Sequence, residues 1–196
     1  MGYMHIDNLY KKNEFLELFN QVYVLEKIHG TSAHISLSPS GVSFFSGGAS
    51  HDLFTSLFNS DCLYSKYKEF NNNTSYIIFG EAYGGKMQGM SHVYGEKLKF
   101  VVFDVQFYND VDKKYWMSVP CAESFVKNFD LEFVWYTQCK NDLENLNKYR
   151  DQYSVQAFRN NREITTGKSE GIVVRPIYEC SDQFGERWIV KHKNKE

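Results

Sequence analysis

Apolar residues bracket a charged hexapeptide early in the chain: Val22, Tyr23 and Val24 precede Glu26-Lys27-Ile28-His29-Gly30-Thr31, and Ile35 follows it. The flanks read as one buried strand ending and the next beginning. A lysine closing a buried strand needs a face on which its ammonium stays solvated or meets an anion. The plain alternative is a stem lying along apolar surface with its charge in water. Side chains in a strand alternate with period two, so Lys27 and His29 are expected to share a face, and Gly30 permits a close turn that lets a ligand approach. That geometry suits a nucleophile facing a phosphate.

At 196 residues and 23.0 kDa the chain is long enough for one well-buried core, and a single domain is expected. Hydrophobic residues at 42% and aromatics at 17% exclude a disordered chain. A net charge of -2 and a pI near 6.3 argue against a protein that coats nucleic acid through bulk charge, so any anionic partner must be met locally. Basic residues gather at Arg187, Lys191, Lys193 and Lys195. Cys62, Cys121, Cys139 and Cys180 show no zinc-ligand spacing. No apolar stretch resembles a signal peptide or a membrane span, so reduced thiols and a cytoplasmic setting are expected.

Periodicity predicts a short helix over 11–19, leading into the hexapeptide strand. A hairpin is predicted from Ala33–Ser38 and Val42–Ser46, turned by Ser38-Pro39-Ser40-Gly41. Apolar spacing of three and four predicts helix over 51–70, broken near Asn59-Ser60-Asp61 and ended at Asn71-Asn72-Asn73. Strands are expected at 75–81 and 97–107, the latter pairing with Tyr115-Trp116-Met117 across Asn109 to Asp112. The loop Gly84 to Met90 is glycine-punctuated, of a kind that carries function. Helices at 121–129 and 140–153, a strand at 131–135 between them, and final strands at 171–176 and 188–192 complete an α+β pattern.

Four further fragments follow the hexapeptide in order. Glu81 closes Tyr76-Ile77-Ile78-Phe79-Gly80, Phe103-Asp104 follow Phe100-Val101-Val102, Glu170-Gly171 precede Ile172-Val173-Val174, and Lys191 and Lys193 close Trp188-Ile189-Val190. Each fragment alone is weak, but five in sequence are specific. From about Ile6 to Asn194 the set resembles the nucleotidyltransferase motifs of ATP-dependent RNA ligases. The nearest likeness is to the branch that writes its nucleophile motif Glu-Lys-x-His-Gly-Thr, which contains phage T4 RNA ligase 2 and the RNA-editing ligases. DNA ligases and capping enzymes usually have Asp at the His29 position.

The resemblance implies an adenylation domain of antiparallel sheets flanked by helices. It is expected to be minimal over residues 1–196, without a C-terminal RNA-binding domain, so that a partner protein or a structured RNA would help present the ends. The implied reaction joins 5′-phosphate and 3′-hydroxyl RNA ends, using ATP and Mg2+ or Mn2+, through AMP carried on Lys27. Lys27, Lys191 and Lys193 match the catalytic positions. Glu26, Ile28, His29, Gly30, Glu81, Phe103 and Glu170 join these lysines as nucleotide-binding positions, Phe103 matching the aromatic that stacks on adenine. Glu81 and Glu170 match carboxylates that bind the sugar or hold the metal. An ammonium has no lone pair, so nearby cations must favour the neutral amine of Lys27. Lys191 and Lys193, two apart on a strand, are expected to share one face, and Asp104 to face away from Phe103.

One departure from the family pattern lies at Ser46, where relatives carry an arginine. Gly47 and Gly48 could offer backbone N–H groups there, and Arg175 is a substitute phosphate contact. A DNA-nick ligase, a GTP-using capping enzyme and a silent nucleotide- or RNA-end-binding module are the competing readings. His29 weighs against the first two, and the intact lysines and glutamates against the third.

Overall fold

The computed structural model describes residues 2–70, 73–109, 113–160, 162 and 167–194. Lys195, parts of the Asn71–Asn73 stop and parts of the Asn109–Asp112 turn therefore lie outside the described residues. In chain order the elements begin with β1 (Asp7–Asn8), α1 (Glu14–Leu18), β2 (Gln21–Lys27), β3 (Thr31–Ser38) and β4 (Gly41–Phe45). There follow α2 (His51–Thr55), α3 (Ser60–Glu69), β5 (Ser75–Tyr83), α4 (Ser91–Tyr94), β6 (Lys99–Tyr108) and β7 (Tyr115–Trp116). The last are α5 (Val119–Lys127), β8 (Tyr136–Lys140), α6 (Leu143–Arg150), α7 (Val155–Arg159), β9 (Gly171–Pro176) and β10 (Val190–Lys193). The α+β expectation holds.

The chain divides into two compact units, and the hexapeptide crosses from one to the other between His29 and Gly30. The first unit is built on residues 30–91 and 96–133 and holds the sheet β4-β3-β5-β6-β7. The predicted hairpin forms as β3 and β4, with Ser38 paired to Gly41. The helix expected over 51–70 breaks where Asn59 accepts from the Cys62 N–H and starts α3 as its N-cap. Ala33, Phe54 and Ala82 are buried together with Phe44, Phe58 and Phe100 packed on them, which places the odd-numbered side of β3 inward. The strand expected at 131–135 is only a single bridge, Phe133 to Val102; the regular strand is β8, farther along.

The second unit holds residues 4–29, 92–95 and 134 onward, with the sheet β1-β10-β9-β2-β8. Val22 and Val24 of β2, Ile172 and Val174 of β9 and Val190 of β10 pack with Phe15 of α1 and Leu146 of α6. The even-numbered side chains of β2 therefore face the core. Glu26 continues that inward row and is 2% exposed. Its carboxylate accepts from the Ser154 hydroxyl at 2.5 Å and the Gln156 N–H at 3.1 Å, while Ser154 also caps α7. Beyond β9, a hairpin over 178–188 is braced by Glu179, which accepts from Arg187 at 2.7 Å on one oxygen and from Arg175 on the other. Arg175 is 1% and Arg187 5% exposed. The reading of Arg175 as a phosphate contact is thus corrected, and Arg187 does not add its charge to the basic residues that gather near it in sequence: both guanidiniums are buried against a carboxylate that offsets their desolvation.

Two stability tests follow from these buried charges. Removing one partner of a buried ion pair costs about 3–5 kcal/mol, so Glu179→Ala is expected to lose that much in urea unfolding, and a loss below 1 kcal/mol would show that the brace contributes little. Burial pushes the Glu26 carboxyl up from 4.5 to about 7 against the hydrogen bonds from Ser154 and Gln156. Its stabilisation is then complete below pH 4.5 and is lost as pH rises through about 7. His34, driven down to about 4 mainly by burial, works the other way, losing its contribution as pH falls from 6.5. The difference in melting temperature between wild type and Glu26→Gln cancels the His34 effect. We expect that difference to shift against the wild type between pH 4.5 and 7; parallel curves across this window would mean that Glu26 does not titrate there.

Candidate active site

Lys27 is the last residue of β2, and on β9 it stands opposite Gly171, which is also the partner of Lys193 on β10. The two lysines therefore flank one glycine in register. A Cβ on Gly171, whose φ is +147°, would lie 2.4 Å from the His192 carbonyl oxygen, so only glycine lets β10 lie this close. Glu170 precedes that glycine. Its N–H donates to the Lys27 carbonyl and its own carbonyl accepts from the Asn194 N–H, which fixes the main chain between the two strands.

The Glu170 carboxylate accepts from Lys27 Nζ at 2.6 Å on one oxygen and from Lys193 Nζ at 2.7 Å on the other. Burial works to raise the Glu170 pKa, but Lys27 and Lys193 outweigh it and hold the group below the usual carboxylate range. Lys191, two residues before Lys193, shares the face as expected. Burial first, then the charges of Lys27 and Lys193, hold its ammonium below the usual lysine range. The structure thus brings Lys27, Glu170, Lys191 and Lys193 together within the second unit.

Glu26 lies on the opposite side of β2, so its side chain is committed to α7 and any contact with a nucleotide falls to its main chain. Ile28 is buried. His29 lies two residues beyond the end of β2; its N–H donates to the hydroxyl of Tyr94 at 3.3 Å. That hydroxyl is buried, and burial raises its pKa. Ser154, Tyr94 and Asn194 escaped the sequence reading. Ser154 carried a legible signal, a serine just ahead of a helical run, whereas nothing local marks Tyr94.

In the first unit, Gly30 donates its N–H to Glu81 at 3.1 Å, and a Cβ on Gly30 would lie 2.3 Å from the Ala82 carbonyl oxygen. The close approach expected of this glycine is thus made by strand β5. Phe103 is the extra residue of a β-bulge, since Phe79 pairs with Asp104 and Gly80 with Val102. The bulge corrects the expectation that Asp104 faces away from Phe103. Tyr3 meets both, edge-on to the Phe103 ring at 4.9 Å and donating its hydroxyl to Asp104 at 2.6 Å.

Ser46 is buried, and Gly47, at φ +57°, lies where a Cβ would sit 2.1 Å from the Ser32 carbonyl oxygen. The Gly48 N–H donates to Thr31 Oγ1 at 2.9 Å, so it is committed to folding this loop onto β3, correcting its reading as a phosphate ligand. In the loop from Gly84 to Met90, Gly84, Gly85, Gln88 and Gly89 all take positive φ around a short 3-10 turn.

Among the described residues no three His, Cys, Asp or Glu side chains converge as a metal site. Nor is any described helix long and apolar enough to cross a membrane.

The fold is similar to that of Naegleria gruberi RNA ligase. A lysine-to-alanine mutant of that protein with ATP and Mn superposes with a TM-score of 0.70 at 15% identity, covering 98% of this chain and 55% of that one. The same ligase with PPi gives a TM-score of 0.70 at 16% identity over 98% and 56% of the two chains. A lysine-to-methionine mutant with AMP and Mn gives a TM-score of 0.70 at 15% identity over the same shares, 98% and 56%. This chain thus spans little more than half the length of those structures. A comparison with curated proteins returns no match. Residues 20–193, which include Lys27, Glu81, Glu170, Lys191 and Lys193, match the RNA ligase family, and the chain belongs to it.

Proposed function

We propose that the chain is an ATP-dependent RNA ligase that joins 5′-phosphate to 3′-hydroxyl RNA ends through AMP carried covalently on Lys27. The observation that carries this reading is one carboxylate, Glu170, holding Lys27 and Lys193 on its two oxygens with Lys191 on the same face. Three ammonium groups against Glu170 and the more distant Asp7 leave a local surplus of positive charge, which suits a triphosphate on a chain that is slightly anionic overall.

Glu170 aims Lys27 before the reaction. The Lys27 nitrogen then forms a bond to the α-phosphorus of ATP, the α–β phosphoanhydride bond breaks, pyrophosphate leaves, and the amine's proton passes to solvent. Lys191 and Lys193 stabilise the charge that builds on the phosphate oxygens. Transfer of AMP to an RNA 5′-phosphate, and its displacement by a 3′-hydroxyl, would complete the joining.

The residues fit a divalent ion brought in by the nucleotide. Mg2+ is commonly held by one or two carboxylates plus substrate phosphates, and Glu170 or Glu81 can each give one such oxygen. Mg2+ or Mn2+ would supply charge neutralisation on the triphosphate. That the related ligase was solved with ATP and Mn supports the choice.

Incubation with α-labelled ATP and Mg2+ or Mn2+ is expected to label the protein on Lys27, and Lys27→Ala to abolish the label. Equal labelling of the variant refutes the reading, and a preference for GTP moves it to a capping enzyme. Lys191→Ala and Lys193→Ala should each lower the labelling rate at least tenfold while the melting temperature stays within a few degrees, whereas Lys127→Ala, at an exposed position of α5, should leave the rate unchanged. Lys191 loses its charge as pH rises through its lowered pKa, so the alkaline limb of the rate profile should move to higher pH in Lys191→Arg. An unmoved limb would show that Lys191 does not supply the charge.

A further inference from the structure

Two short stretches of the second unit, 152–154 and 167–169, pair antiparallel outside the named strands. The Ser154 N–H donates to the Gly167 carbonyl at 3.1 Å and the Ser169 N–H to the Gln152 carbonyl at 3.3 Å, which leaves Tyr153 and Lys168 directly opposite each other between these two bonds. Residues opposed in this way lie about 4.5 Å apart at Cα and send their side chains to the same face. Both side chains are exposed, Tyr153 to 46%. The pair is thus a ring beside an ammonium on a hydrogen-bonded frame.

The frame is tied to the lysine site on both of its sides. Lys168 lies two residues before Glu170, at most about 7 Å along the chain, and the Glu170 N–H donates to the Lys27 carbonyl. Tyr153 precedes Ser154, whose hydroxyl donates to Glu26, the neighbour of Lys27. Charge around the pair is positive. From Lys148 to Lys168 the sequence carries five cations, Lys148, Arg150, Arg159, Arg162 and Lys168, against Asp151 and Glu163. The Asp151 carboxyl is held below the usual range first by its hydrogen bonds from Arg150, at 2.8 and 2.9 Å, and less by the charge of Lys168. Arg150 therefore answers that carboxylate, and Lys168 keeps its charge for an anion from outside.

We propose that Tyr153 and Lys168 seat one nucleotide of a single-stranded RNA beside the reacting end, the ring stacking on its base and the ammonium meeting its phosphate. The choice of RNA rests on the ligase reading; that the pair takes a nucleic-acid strand rests on its shared face and its basic surroundings. Single-strand binding combines aromatic rings for the bases with positive charge that follows the backbone, and this pair supplies one of each. One ring and one ammonium offer far less than the roughly 800 Å² per partner that a stable protein interface needs. A frame fixed by its own hydrogen bonds also lowers the entropic cost of holding the two side chains for a ligand.

Fluorescence anisotropy with a labelled, 5′-phosphorylated single-stranded RNA, repeated over a range of salt, tests this on the full chain. Tyr153→Ala should weaken affinity about tenfold, within the range for one base–aromatic stack, and leave the slope against salt unchanged because stacking releases no counterions. Tyr153→Trp should keep the affinity, and Tyr153→Leu should weaken it as alanine does, because a base needs a π-face. Lys168→Ala should weaken affinity and lower the salt slope by about 0.7, the value for one phosphate of a single strand, and Lys168→Arg should restore both. A merely structural role for the two residues would not divide affinity from slope in this way. Wild-type affinity in Tyr153→Ala or Tyr153→Leu, an unchanged slope in Lys168→Ala, or a wild type that does not bind the RNA would each overturn the seat. Covalent labelling of the wild type by ATP separates this from the ligase reading. A wild type that fails to label but binds RNA through Tyr153 and Lys168 sinks the ligase reading and leaves the seat standing, whereas a labelling wild type whose RNA affinity ignores both residues does the reverse.

Discussion

A single carboxylate between two lysines is the interaction on which the second unit's site depends. Three ammonium groups on neighbouring strands repel one another, and Glu170 offsets that repulsion by meeting Lys27 and Lys193 at 2.6 and 2.7 Å. The carboxylate can do so because Gly171 lets β10 close on β9, and because the Glu170 main chain is tied both to Lys27 and to Asn194. Position thus comes from backbone register, and the charges inherit it.

The reverse side of β2 carries a second polar arrangement, and it explains why the residue before the nucleophile is an acid. Glu26 faces the core, where burial pushes its carboxyl up to about 7 and its polar atoms need hydrogen-bond partners. Ser154 and the N–H groups at the start of α7 supply them, while Tyr94 takes the His29 N–H. Lys27 therefore sits between two anchored neighbours, one held through its side chain and one through its amide. A nucleophile gains from such restraint, because misplacement by an ångström costs orders of magnitude in rate.

Most strands of the two sheets were legible because apolar runs with period two have few alternatives, and the three groups gathered around Lys27 were legible through ordered motifs. What escaped the reading depends on departures from regularity. Phe103 and Asp104 both meet Tyr3 because a bulge interrupts alternation. Arg175 looked like a ligand for phosphate because a sequence shows a charge but not the Glu179 that neutralises it from four residues away. Gly48 looked available for the same reason, its partner Thr31 lying seventeen residues back. The strand expected at 131–135 fell at Tyr136–Lys140 because pairing with β2, not local hydrophobicity, selects the segment.

The buried ion triad also bears on the lysine site, through strand register. β9 and β10 pair from Val174 with Val190 to Gly171 with Lys193, and the hairpin that joins them holds the Arg175–Glu179–Arg187 brace. A slip of one residue along β10 would turn Lys191 and Lys193 toward the core face now occupied by Ile172 and Glu26, and would bring His192 round in their place. Two ammonium groups would then enter an apolar interior, at several kcal/mol each. The brace opposes the slip from one end, because moving Arg187 along the strand draws it from Glu179, and Gly171 opposes it from the other, because no other residue of β9 tolerates so close a neighbour. The charges that support the hairpin and those proposed for the chemistry are thus separate sets linked through β9 and β10, the first keeping the second in register.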